Sequence, residues 1–131
     1  VVDKDMDKAY YYYTRALENN YRTLCFYAYY NLAKYFYMNG YDKYPKDVNK
    51  AIEYFNKASN NGILDASLEL FFYYSKKYLS SRDEIDKELL LKYKTVIEGH
   101  SKYNDKLRER IEVTLNELSE RKEINVDCLL G

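Results

Sequence analysis

The chain has 131 residues and a mass of 15.8 kDa, enough for one sizeable core and calling for no second domain. Lys plus Arg number 21 and Asp plus Glu also 21, so no field of one sign holds the chain on nucleic acid or an anionic membrane. The balance is local too, with five positive and four negative groups in residues 1–40, ten of each in 41–99, and six and seven in 100–131. One Pro and four Gly are too few for the turns of a sheet protein, so the composition points to helix throughout.

Six helices are expected, at about Asp3 to Asn19, Thr23 to Asn39, Lys46 to Asn60, Leu64 to Ser80, Asp83 to Glu98 and Asp105 to Lys122. In the third, Val48, Ala51, Ile52, Phe55 and Ala58 fall at three- and four-residue steps, an apolar stripe opposed by Lys50, Glu53, Asn56 and Lys57. In the last, Leu107, Ile111, Leu115 and Leu118 oppose Arg108, Glu109, Glu112, Glu117 and Glu120, the pattern of a terminal capping helix. Gly40, Gly62 and Gly99 stand where helices should close on a left-handed residue, and Asn20 holds the place matching Gly62. Pro45 precedes Asp47 at a helix start, where a missing N–H costs nothing. Residues 124–131 lack periodicity and read as a tail, mobile or docked through Val126 and Leu129.

A long-period repeat underlies these elements. Asp5, Lys8-Ala9, Tyr12-Tyr13 and Ala16 recur as Asp47, Lys50-Ala51, Tyr54-Phe55 and Ala58, each 42 positions on. Ala28 and Leu32 recur as Ala66 and Leu70 at an offset of 38. Such self-similarity marks stacked helical units that bury their apolar faces against neighbours. The small residues Ala9, Ala16, Ala51 and Ala58 let helix backbones approach, while Tyr13, Phe36 and Phe55 fill the space between units. A third copy is degraded. Lys50 to Lys87 and Gly62 to Gly99 need an offset of 37, but Ala51, Ile52 and Phe55 to Leu89, Leu90 and Tyr93 need 38, and both registers stand open.

The stretch from Ala28-Tyr29-Tyr30-Asn31-Leu32-Ala33 through Phe36, Gly40, Asp47, Lys50-Ala51, Tyr54-Phe55, Ala58-Ser59, Gly62 and Asp65-Ala66 resembles a nearly complete unit of the Sel1-like repeat family, relatives of the tetratricopeptide repeats. Ala33 and Phe71 stand where the family has a small Gly, and the paired cysteines of its cysteine-rich branch are absent. The resemblance implies an all-α, right-handed α-solenoid of antiparallel helix pairs. It would form a single domain over 1–123, with a half unit at 3–20, a full unit at 24–62, a diverged unit at 64–99 and a capping helix at 105–122. It further implies a non-enzymatic protein–protein interaction scaffold or adaptor. The alternative is a structural spacer or oligomerisation segment of a longer repeat protein, self-associating through exposed ends with Tyr10 and Tyr11 at the contact.

In helical-hairpin solenoids the first helix of each pair lines the concave face. The core stripes Ala28, Leu32, Phe36 and Ala66, Leu70, Tyr74 then leave Tyr27, Tyr30, Lys34, Tyr37, Leu68, Phe72 and Lys76 to line a groove for a peptide or helix. Eighteen tyrosines suit such a surface, although many belong to the core and a Tyr, Asn, Ile and Lys bias also follows from AT-rich coding. The single His100 follows a helix-ending Gly, where a dipole contact explains it. Cys25 sits among apolar residues as a buried thiol, and Cys128 offers it no metal spacing. No Gly-x-Ser-x-Gly, phosphate-binding loop or cofactor motif occurs, so no catalytic residue, metal or cofactor is assigned. No apolar run is long enough to span a membrane, and two lone thiols favour a reducing compartment while leaving an endoplasmic reticulum lumen open. The start at Val1-Val2 without Met reads as processing or as a piece of a longer protein.

Overall fold

The computed structural model describes the backbone of residues 4–19 and 22–130 and the side chains of 5–19 and 25–119. Expectations resting on Asn20 and on the side chains of Val126, Cys128 and Leu129 lie outside these. The described elements are all helical: α1 (Lys4–Glu18), α2 (Arg22–Leu32) continued by a π-turn (Ala33–Tyr37), α3 (Val48–Asn60), α4 (Leu64–Ser81), α5 (Glu84–Glu98) and α6 (Asp105–Leu130). Among the described residues the one β feature is an isolated bridge between Tyr41 and Tyr44. Six helices were expected, and their bounds move by a residue or two except at the end of α6. With no Pro or Gly between 105 and 130 to stop it, that helix runs on to Leu130. The chain contacts divide into two compact bodies, Val1–Ser67 and Leu68–Gly131.

In the N-terminal body α1, α2 and α3 run alternately up and down. Asp7 meets Tyr44, Tyr10 meets Phe36, and the Ala16 carbonyl accepts a hydrogen bond from the Cys25 thiol, an antiparallel order along α1. Along α3, Lys50 lies over the Tyr37 ring and Lys57 over the Tyr29 ring, so α2 and α3 are antiparallel as well. Ala28, Leu32, Ala33, Phe36, Ala51, Phe55 and Ala58 are all almost fully enclosed. Here the alanines let the helices close up while Phe36 and Phe55 fill the interstices.

The helix ends follow from their residues. Asp47 caps α3 by accepting the Lys50 N–H at 3.1 Å. At the far end Gly62 adopts φ +88°, with Ile63 N–H bonding back to the Ala58 carbonyl and Gly62 N–H to that of Ser59, a Schellman closure. Gly40 is left-handed too, at φ +75°. Gly99 departs from expectation with φ −80°. After it His100 and Tyr103 continue in successive tight turns, so no left-handed reversal is needed. Arg82, at φ +54°, takes the left-handed place between α4 and α5, and its Nη1 donates to the Leu118 carbonyl at 3.2 Å.

In the C-terminal body α4 and α5 are antiparallel, with Tyr74 stacked on Tyr93 at 6.0 Å and Lys77 facing Asp86. The α6 helix runs alongside α4 in the same direction, since Arg110 lies over Phe72 and the Leu118 carbonyl meets Arg82. Buried Leu70, Phe71, Tyr78, Leu90, Tyr93, Ile97 and Ile111 make the core. Asp86 is buried among them, its carboxylate accepting the Ser81 hydroxyl at 2.7 Å. Burial in α5 falls at Asp86, Leu90, Tyr93 and Ile97, a three- and four-residue rhythm along one face.

Candidate functional site

The seven residues expected to meet a partner divide by burial. Tyr27 is 51% exposed and Lys76 is exposed, while Tyr30, Lys34 and Phe72 are half-buried. Tyr37 and Leu68 instead belong to the interior, at 7% and 9% exposure. For Tyr37 the cause is the π-turn, where Met38 N–H bonds to the Ala33 carbonyl five residues back. That wider turn directs both Phe36 and Tyr37 inward. Leu68 sits on the stripe Leu68, Phe71, Ser75 and Tyr78, a three- and four-residue rhythm that packs a second flank of α4.

In the C-terminal body Phe72 and Lys76 line a common depression. Phe72 lies in an open groove of about 370 Å³ between α4 and α6, lined also by Glu109, Arg110, Val113 and Thr114. An adjoining depression of about 220 Å³ adds Lys76, Leu79 and Glu117. The Arg110 guanidinium stands 5.1 Å from the Phe72 ring. The α6 contributors were missed in the sequence because the last helix was taken for a cap. Their signal was present in Arg110, Thr114 and Glu117, which flank the apolar Ile111 and Leu118.

A second groove, in the N-terminal body, lies between α1 and α2. It encloses about 340 Å³ and is lined by Tyr12, Tyr13, Arg15, Ala16, Asn19, Tyr27 and Ala28. Elsewhere on α2, Tyr30 packs against Phe55 and receives a hydrogen bond from Lys34 Nζ at 3.2 Å. Tyr10 is tied into the core, since its ring contacts Phe36 and Tyr44 and its hydroxyl meets that of Tyr37 at 3.1 Å. Of the two tyrosines expected at an exposed repeat end, Tyr11 is 53% exposed and Tyr10 is half-buried.

The electrostatics of the N-terminal body are those of a scaffold held by phenols. The Tyr44 hydroxyl donates to Asp7 at 2.6 Å, and Lys43 pairs with the same carboxylate. Tyr44 and then Lys43 hold the Asp7 carboxyl below its ordinary value, and the Asp7 contact pushes Tyr44 up to about 12. Burial raises Tyr37, and the Tyr10 hydroxyl adds to the effect. His100 accepts the Lys102 N–H on Nδ1 at 3.1 Å, a turn-closing contact beyond α5. Cys25 is buried with its thiol donated to Ala16. Among the described residues no three His, Cys, Asp or Glu side chains gather to hold a metal ion, and no helix is long and apolar enough to cross a membrane.

The antiparallel pairs, the enclosed alanines and the Gly62 closure are the physical content of the repeat read in the sequence. The family model for the Sel1 repeat matches residues 2–21 and 26–63. Within those two segments the chain is similar to the Sel1 repeat. The matched segments coincide with α1 and with the α2–α3 pair, and residues 64–131 lie outside them. Sel1 repeats form helical solenoids, act in general as protein-interaction modules and are in general non-catalytic. No curated protein and no solved structure matches the chain.

Proposed function

We propose that this chain is a non-enzymatic scaffold that takes a peptide or helix of a protein partner on the exposed flanks of its first helices. The supporting observation is the open α4–α6 groove, in which an aromatic ring, a guanidinium and an ammonium converge through Phe72, Arg110 and Lys76. With Glu109 and Glu117 lining the same depressions beside Arg110 and Lys76, the surface is mixed in charge, and the half-buried ring suits a peptide that brings an apolar side chain flanked by polar ones. In the N-terminal body the corresponding patch is Tyr27, Tyr30 and Lys34. Affinity capture from a native extract with wild type and with Phe72→Ala/Lys76→Glu tests this. Loss of specific partners, with the melting temperature unchanged, supports the groove. Identical captured sets refute it.

A second reading, a spacer that associates through its repeat end, is favoured by the exposure of Tyr11 and Tyr12 on α1 at 53% and 65%. Sedimentation across a concentration series should show association that Tyr11→Ser/Tyr12→Ser abolishes. Tyr10 is unsuitable as a probe because its replacement would open the core cluster. A monomer at every concentration removes the self-association reading.

A further inference from the structure

Two helical segments of the N-terminal body close on the same dipeptide, Asn39-Gly40 and Asn61-Gly62, but the two are held differently. Asparagine followed by glycine is the pairing most open to attack of the next backbone nitrogen on the side-chain amide carbon, since no Cβ obstructs the approach. At the second site both reacting groups are tied down. Gly62 N–H donates to the Ser59 carbonyl at 3.1 Å, and Asn61 Nδ2 donates to the Lys57 carbonyl at 2.8 Å, which turns the side chain back along α3. At the first site Asn39 is exposed, and among the described residues neither its side-chain amide nor the Gly40 N–H takes part in a hydrogen bond. The loop beyond Gly40 has little slack. A Cβ on Gly40 would stand 3.0 Å from the Lys46 nitrogen, Asp47 N–H bonds to the Tyr37 carbonyl at 2.9 Å, and the Tyr44 hydroxyl reaches Asp7 at 2.6 Å.

We infer that Asn39-Gly40 is a self-modification site, at which the chain deamidates spontaneously in water and so releases the loop that docks Tyr44 on Asp7. The Gly40 nitrogen gives up its proton and bonds to the Asn39 side-chain carbonyl carbon, while the bond from that carbon to Nδ2 breaks and ammonia leaves carrying the proton. The cyclic imide that results takes up a water molecule. Opening at the Asn39 main-chain carbonyl carbon, the favoured course, routes the backbone through the former side chain and lengthens it by a methylene. Opening at the other carbonyl gives ordinary aspartate. No electron donor or acceptor takes part. The added methylene falls between Tyr37 and the Tyr41–Tyr44 bridge, where the Lys46 contact leaves it no room, and the new carboxylate stands past the carbonyl end of the π-turn, where the helix dipole disfavours it. Asn61 stays intact because attack there must first break the bonds to Ser59 and Lys57. The site is independent of the α4–α6 groove.

The full chain is held folded in warm, mildly alkaline buffer and sampled over time, and the tryptic peptides 35–43 and 58–76, which separate the two sites, are followed by mass spectrometry. Conversion shows as the mass difference between an amide and its acid, and isoaspartate is counted by enzymatic methylation of its carboxyl. Asn39 should convert about ten-fold or more faster than Asn61, and in urea the two rates should converge. Equal rates in the folded chain overturn the proposal, as does an unchanged Asn39 over a period in which the urea-unfolded chain converts. Asn39→Gln, at an exposed position, should abolish the change in peptide 35–43. The aged wild type should then melt several degrees lower than fresh protein, while Asn39→Gln aged in parallel should not. Asn39→Asp, which has the new charge without the longer backbone, should lie nearer to fresh wild type. A chain converted at Asn39 that melts like fresh protein overturns the release of the loop. In Tyr44→Phe, which lacks the Asp7 bond from the outset, the loss on ageing should shrink, and an undiminished loss overturns the link to Asp7.

Discussion

Ala16 and Ala58 hold the same place in successive repeats, yet a leucine should have opposite consequences at the two. Ala58 is at 0% exposure, with Phe55 one turn before it at 1%. Three extra carbons there have no void to enter, and overpacking a site of this kind costs about 1–3 kcal/mol. For a body of this size about 2 kcal/mol corresponds to a fall in melting temperature on the order of 10 °C. The Ala16 methyl instead borders the open groove of about 340 Å³, so Leu has room and buries part of its surface against Tyr13 and Tyr27. Ala16→Leu should therefore lie within about 0.5 kcal/mol of wild type. Urea unfolding followed by circular dichroism measures both variants. An equal loss in the two, or a silent Ala58→Leu, would refute the enclosure of Ala58 and the open surface beside Ala16.

Other outcomes follow from the caps and the phenol network. Asp7 is held below its ordinary value of 3.8, first by Tyr44 and then by Lys43, so its contribution is present above that pH and is lost as pH falls through the depressed value. Asp7→Asn should flatten the acid limb of stability against pH, and an unchanged limb counts against the Tyr44 contact. Tyr44 runs the other way: raised from 10.0 to about 12, it stabilises fully below pH 10 and ceases to do so as pH rises through 12. Tyr44→Phe should then lessen the alkaline loss of helix, read together with tyrosinate absorbance. Gly62→Ala meets open space and suffers only its φ of +88°, costing about 1 kcal/mol, whereas Gly40→Ala also places a Cβ 3.0 Å from the Lys46 nitrogen and should cost about 2–3 kcal/mol. Thermal melts that rank the two in reverse would contradict the loop geometry.

The core of the N-terminal body was legible in part from alanine spacing, since Ala28, Ala51, Ala58 and Ala66 are enclosed, whereas Ala9 and Ala16 of the same pattern are only half-buried. Asp47 and Asp83 were placed inside their helices by the sequence reading, whereas each stands just ahead of its helix and accepts a backbone N–H as a cap. Tyr37 was misplaced because hydrophobic periodicity assumes one helical pitch, and a π-turn changes it without any composition signal. Leu68 was misplaced because α4 buries two flanks, so its true stripe is wider than the one that was read. Arg110 and Val113, which line the α4–α6 groove with Phe72, were not singled out, because partners on a helix of undetermined packing carry no mark of their own. The repeat pairs Tyr12 and Tyr13 with Tyr54 and Phe55, but only coordinates show that Tyr54 and Phe55 pack against rings of α2 while Tyr12 stays 65% exposed.

The π-turn at Ala33–Tyr37 also sets how the N-terminal body tolerates changes of length. An α-helix advances about 100° per residue, so one additional residue in a single turn rotates all that follows by roughly that angle. Deleting a residue there, even surface-facing Tyr35, would swing the Gly40 loop and the Tyr44 hydroxyl away from Asp7, although it removes no core contact of its own. The segment thus behaves as a fixed angular offset in the chain, tolerant of substitution at its outer positions and intolerant of any change in count.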